Sequence, residues 1–243
     1  MFLNLIYTEL IKYKRTPVFW IIAIGGFLSA GTAMLLVTSQ KAVATWDDFA
    51  VAGLNGINLV ALLVIAVITG YVISGEYHQS TIGILFTYPV SRIRLFTLKQ
   101  AVMLIFSICL YISFLVAAFL FGIIFIGVPE WKLMLKLLRL IFIMAGLNFV
   151  LVPLTSFICL VVKSVGTSIF TGMGYFISYM SFINIKNSLY IPTCTPNRLV
   201  DYYFLTENIG RGDIKGILAV VASVFIFSVL ISAVYYSKHD VYK

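Results

Sequence analysis

Charge is scarce in this sequence. Asp, Glu, Lys and Arg make up 11% of its 243 residues, where soluble domains run near one quarter. Catalytic equipment is equally thin. There is no GxxxxGK[ST] loop to hold a nucleotide's phosphates and no GxSxG nucleophile elbow. The two histidines, His78 and His239, lie far apart and outside any HExxH setting. The cysteines, Cys109, Cys159 and Cys194, form no CxxC pair and no Cys/His cluster, so no metal site and no catalytic residue is assigned. Cys109 and Cys159 fall inside apolar runs, where cysteine acts as a small hydrophobe.

What is abundant is apolar surface. The chain is 61% hydrophobic with a mean hydropathy of +1.05, too apolar for a soluble surface of this size. About 20 apolar residues cross a bilayer, and a charge at its centre costs roughly 2.5–3.5 kcal/mol. Stretches free of Asp, Glu, Lys and Arg predict six transmembrane helices at about 17–38, 54–75, 98–127, 138–162, 164–184 and 216–236. The fold class expected is therefore all-α integral membrane, one transmembrane domain over 1–243. Charge-free windows argue against proton- or sodium-coupled transport and against intramembrane hydrolysis, which need acid, base or paired charges in the membrane. The chain reads as a pathway or scaffold without its own energy source.

Residues 1–15 predict an amphipathic helix on the membrane, with Leu3, Ile6, Tyr7 and Leu10 at helical spacing before Pro17 turns the chain inward. The first span is too long for a signal h-region and is expected to stay as an anchor. The net charge of +8 is assigned to anionic lipid and topology rather than to nucleic acid. With a cytoplasmic N-terminus, nine basic residues fall inside and eight outside. The clusters Lys12–Arg15 and Arg92–Lys99 at helix ends favour that orientation. Between the fifth and sixth spans, Thr195-Pro196 predicts a short helix at the outer interface, and Arg211-Gly212-Asp213 reads as a turn. Pro153 predicts a kink in the fourth span. The polar residues Asn55, Asn58, Asn148, Thr155 and Ser156 suit interhelical hydrogen bonding or a substrate path. Small residues recur four apart at Gly25/Ser29, Gly26/Ala30, Gly70/Ser74, Ser168/Gly172 and Gly174/Ser178, which suits close helix packing within the chain or at a subunit seam.

The stretch 75-GEYHQSTIGILFTYPVSRIRLFTLK-99 fits neither a span nor a solvated loop. As a helix it would place Tyr77, Thr81, Ile84, Leu85 and Tyr88 on one side and end at Pro89. It could rest on lipid or dock a partner. The order Glu76, Ser80-Thr81, Leu85, Pro89-x-Ser91-Arg92, Lys99 resembles the segment after the second helix of ABC-2 type permeases of ATP-binding cassette transporters. Ser80 departs from it, because glycine is usual there. Glu9, Lys12 and Arg15 resemble the same family's Glu-Leu-x-Lys-x-x-Arg opening.

The resemblance implies a half-pore that pairs with a second permease subunit, identical or homologous, and with two copies of a cytoplasmic ABC ATPase. Residues 76–89 would be a coupling helix, with Glu76, Tyr77, Ser80, Thr81, Leu85, Pro89 and Arg92 at the ATPase contact. A dimer seam would use the first and fifth helices, including Gly25, Ser29, Ser168, Gly172, Gly174 and Ser178. The chain itself would be no enzyme and hold no cofactor, since ATP and Mg bind the ATPase. Similarity to bacitracin- and lantibiotic-type permeases implies export of an amphipathic peptide across a bacterial plasma membrane, with both termini cytoplasmic. A non-transporting scaffold or sensor is the alternative.

Overall fold

The computed structural model describes residues 2–14, 16–40, 45–78, 91–185, 187–204 and 211–238. The described residues are helical, in the order α1 (Phe2–Tyr13), α2 (Val18–Gln40), α3 (Trp46–His78), α4 (Arg92–Phe125), α5 (Trp131–Phe149), α6 (Val152–Val162), α7 (Gly166–Phe182), a 3₁₀ turn (Ser188–Tyr190), α8 (Thr195–Phe204) and α9 (Arg211–Lys238). Among the described residues five segments are long and apolar enough to cross a membrane: Val18–Gln40, Trp46–Gly75, Arg92–Phe125, Trp131–Val162 and Ile214–Ser237. The fifth expected span, 164–184, forms α7, a helix of 17 residues, at the lower end of the length that spans hydrocarbon.

Helix α3 is the hub. It packs on α2, α4, α5, α6, α7 and α8, and its Leu54, Ile57, Ala61 and Val72 are wholly buried. A helix apolar on every side belongs in the middle of such a bundle. It is longer than its charge-free window suggested. At its N-terminus the Thr45 hydroxyl bonds the Asp48 carboxylate (2.6 Å) and accepts from the Asp48 N–H (3.3 Å), a reciprocal cap. The Asp47 and Asp48 carboxylates also sit at the positive end of the helix dipole.

Two close approaches set the bundle's spacing. A Cβ on Gly26 would lie 2.6 Å from the Phe114 backbone nitrogen, and at that crossing the Ser113 hydroxyl donates to the Ile22 carbonyl (3.0 Å). A Cβ on Gly70 would lie 2.1 Å from the Ser168 Oγ, and one on Gly172 would lie 3.1 Å from the Ala66 methyl. Ala66 and Gly70 of α3 thus face Gly172 and Ser168 of α7 in antiparallel register, a small-residue seam within one chain. Gly25 likewise meets Leu110, Val60 and Val64, and Ser29 is buried with its hydroxyl on the Gly26 carbonyl. Of the six residues expected at a subunit seam, Gly25, Ser29, Ser168 and Gly172 are therefore filled by their own chain. Ser178 bonds Thr193 at 3.3 Å, and Gly174 is exposed with no neighbour within 4 Å.

The fourth span breaks where Pro153 predicts it. Helix α5 ends at Phe149 and α6 begins at Val152. Between them Val150 and Leu151 donate three residues back, to Leu147 and Asn148 (both 3.2 Å), because proline cannot donate to Phe149. The helix expected from Thr195-Pro196 is α8, although the Thr195 hydroxyl turns back to the Leu189 (3.1 Å) and Ile191 (2.9 Å) carbonyls. The three cysteines are free thiols, and Cys194 is fully buried. Burial raises its pKa, so native protein should resist maleimide at Cys194 and react there only on unfolding, as mass spectrometry of labelled peptides would show. Gly70→Val should cost about 1–3 kcal/mol through overpacking, read as a fall in thermal unfolding midpoint in detergent, whereas Gly174→Val should leave the midpoint unchanged.

Candidate functional site

A buried charged junction lies at the end of the bundle where the chain leaves α3 and returns in α4. Helix α1 carries Ile6, Glu9, Leu10 and Tyr13 on one face, at spacings of three, four and seven. Ile6, Leu10 and Tyr13 pack into the main core, and Glu9 goes in with them at 6% exposure. Across from it Lys99, in the second turn of α4, is 2% exposed. Its Nζ lies 3.7 Å from the Glu9 Oε1 and donates to the Val72 carbonyl near the end of α3 at 3.1 Å. The Tyr13 hydroxyl donates to the same Glu9 carboxylate (3.4 Å), and Lys12 pairs with it at 2.5 Å from the outer side. One carboxylate thus ties the N-terminal helix to both helices that flank residues 79–90.

The last span joins this end. Arg92, the first residue of α4, donates to the Ser237 carbonyl of α9 (3.3 Å). Phe96 packs on Tyr236 with ring centroids 5.8 Å apart. Around them Ile73 of α3 and Cys159 and Leu160 of α6 form a second small core. Of the residues expected to contact an ATPase, Glu76 and Tyr77 belong to the final turn of α3 rather than to a separate helix. Helix α3 runs on because no proline or cap interrupts it before His78. Ser80, Thr81, Leu85 and Pro89 lie outside the described residues. The Glu9–Lys99 pair was missed in the sequence because 90 positions separate its members. A signal was available: Glu9 stands within the apolar stripe Ile6–Leu10–Tyr13, where an unpaired charge has no place.

A polar network occupies the middle of the bundle. Asn148, in the last turn of α5 just before the break in the fourth span, donates to Asn58 Oδ1 (2.7 Å) and to the Tyr111 hydroxyl. Asn58 donates in turn to the Thr193 carbonyl (3.4 Å), so the segment before α8 is fastened to the bundle interior. Nearby the Thr155 and Tyr175 hydroxyls bond at 3.0 Å, and Gln100 donates to Ser156 (3.0 Å). Asn58, Asn148, Thr155 and Ser156 are fully buried, so these residues serve interhelical bonding. Among the described residues a large concavity lies elsewhere. A groove of about 560 Å³ between α2 and α4 is lined by Ile24, Leu28, Gly31, Leu35, Phe121 and Phe125.

The family model for ABC-2 family transporter proteins matches residues 5–179, from the first turns of α1 almost to the end of α7. This chain belongs to the ABC-2 transporter family. The match takes in Glu9, Lys99 and every residue of the intervening motif. Comparison with curated proteins finds no match. As an ABC-2 permease the chain is a multi-pass membrane component, and the family implies an ABC ATPase as its partner. In this ABC-2 chain Glu9 and Lys99 link α1 to α4 and, through the Val72 carbonyl, to α3, the two helices that precede and follow the motif segment in sequence.

Removing one member of a buried ion pair strands the other, at about 3–5 kcal/mol. Lys99→Met and Glu9→Gln should each lower the unfolding midpoint in detergent. The Glu9→Gln/Lys99→Met double variant should be more stable than the sum of the two losses, and a thermodynamic cycle built on the four midpoints checks that coupling.

Proposed function

We propose that this ABC-2 permease exports an amphipathic or hydrophobic substrate, a peptide in the reading we favour, driven by ATP hydrolysis in a separate subunit. The supporting observation is the Glu9–Lys99–Val72 junction. It joins α1, α3 and α4 at the ends of α3 and α4 between which, in sequence, lie residues 76–89, the segment that resembles a coupling helix. A force delivered there by a moving ATPase reaches two spans and the N-terminal helix together. In this reading Glu76, Tyr77, Ser80, Thr81, Leu85, Pro89 and Arg92 meet the ATPase, which binds ATP and Mg.

The working assembly has two ATPase subunits and two permeases, identical or homologous, in a bacterial plasma membrane with both permease termini cytoplasmic. Helix α7 then counts as the fifth of six spans. It and α2 flank α3, and their outward faces, including the exposed Gly174, are offered to the second permease. The uncharged lining of the apolar groove between α2 and α4 suits a cargo taken from the bilayer rather than one carried as an ion.

The test is co-purification. Tagged chain extracted from its native membrane should bring down an ATP-hydrolysing subunit. Leu85→Asp, which puts a charge on the docking side, should still insert in the membrane but retain less than a tenth of that activity. Full ATPase recovery with Leu85→Asp would remove the coupling-helix assignment. A recovered complex that hydrolyses no ATP would favour a scaffold instead.

A further inference from the structure

The face of α5 carries three cations that the export reading does not use. Lys132, Lys136 and Arg139 stand at spacings of four and three, so they share one side of the helix. Lys132 and Arg139 are exposed and Lys136 is half-buried. The Lys136 ammonium sits 3.7 Å from the centre of the Phe204 ring of α8, which fixes the middle of the row without neutralising it. Among the described residues none of the three has an acidic partner. Leu135, Leu138 and Phe142 are exposed on the same stretch at 52%, 43% and 50%, and Trp131 at its start at 68%.

Depth decides what such a row meets. From Val162, at the far end of the span, α6 and α5 rise ~1.5 Å per residue. Arg139 is then about 35 Å along, just past a hydrocarbon layer of ~30 Å. Lys136 and Lys132 follow roughly one and two turns further out. The row therefore begins at the level of lipid phosphates and rises through the headgroup layer, while Phe142, about one turn deeper than Arg139, stays in the acyl region. A soluble polyanion gains nothing from the exposed Leu135, Leu138 and Phe142 side chains. A lipid with an anionic headgroup matches both parts. We propose that Lys132, Lys136 and Arg139 form a binding site for the phosphate headgroup of an anionic phospholipid, in the leaflet opposite the Glu9–Lys99 junction. This reading does not depend on export or on an ATPase.

The experiment uses the full chain in phosphatidylcholine nanodiscs containing a small fraction of spin-labelled lipid. The wild-type protein should restrict labelled phosphatidylglycerol more than labelled phosphatidylcholine. An anionic surface is worth roughly fivefold in partition per nearby cation. Lys132→Gln/Lys136→Gln/Arg139→Gln should therefore lower the relative association of phosphatidylglycerol by on the order of tenfold or more. The charge-preserving variant Lys132→Arg/Lys136→Arg/Arg139→Lys should keep it. A loss of more than twofold that the charge-preserving variant restores supports the site. A smaller loss overturns it. So does competition by inorganic phosphate or a soluble polyglutamate at millimolar concentration, either of which would assign the row to a water-borne anion.

Discussion

No water reaches the hydrocarbon to complete a hydrogen bond, and this constraint orders the whole molecule. Backbone groups satisfy it by forming helices. Side chains satisfy it by meeting one another at the helix crossings, and this is where the polar residues are found. Asn58, Asn148 and Tyr111 bond together on three different helices, and Ser113 closes the crossing at Gly26. Lys99 obeys the same rule with a full charge. It is admitted to the interior because Glu9 and the Val72 carbonyl receive it.

That junction gives the N-terminal helix a structural role beyond lying on lipid. Its Ile6, Leu10 and Tyr13 enter the main core together with its single acid. The opposite end of the bundle is tied differently. There Asn58 holds the Thr193 carbonyl, Asn197 bonds the Tyr179 hydroxyl, and Arg198 bonds the Ser188 hydroxyl (2.8 Å) and lies 3.7 Å from Asp201. One end is fastened by a buried ion pair and the other mainly by hydrogen bonds among amides, hydroxyls and carbonyls.

Much of this architecture was legible in the sequence, because hydrophobicity over about 20 residues is a property of each segment alone. Five of the six windows reappear as spans, Pro153 marks a real break, and Thr195-Pro196 opens a helix. Helix ends were read too tightly. Charge marks where hydrocarbon stops and not where a helix stops, so α3 begins at Trp46 and runs to His78. Pairings between distant residues were not legible. Glycine spacing shows that a close approach is possible without naming the partner, and Gly70 finds Ser168 of its own chain. Lys99 looked like a boundary marker and is buried, because nothing near it in sequence reveals Glu9.

The break at Val150–Leu151 carries a mechanical meaning. Helices α3 and α4 are continuous rods, and bending either in mid-membrane strains a complete backbone ladder. The fourth span already lacks the bond that Pro153 cannot donate. The same bend therefore meets less resistance there. Its lower half is also clamped to the last span, where Ser232 donates to the Pro153 carbonyl (2.8 Å). The fourth and sixth spans thus share a compliant joint within a bundle whose central helices are stiff.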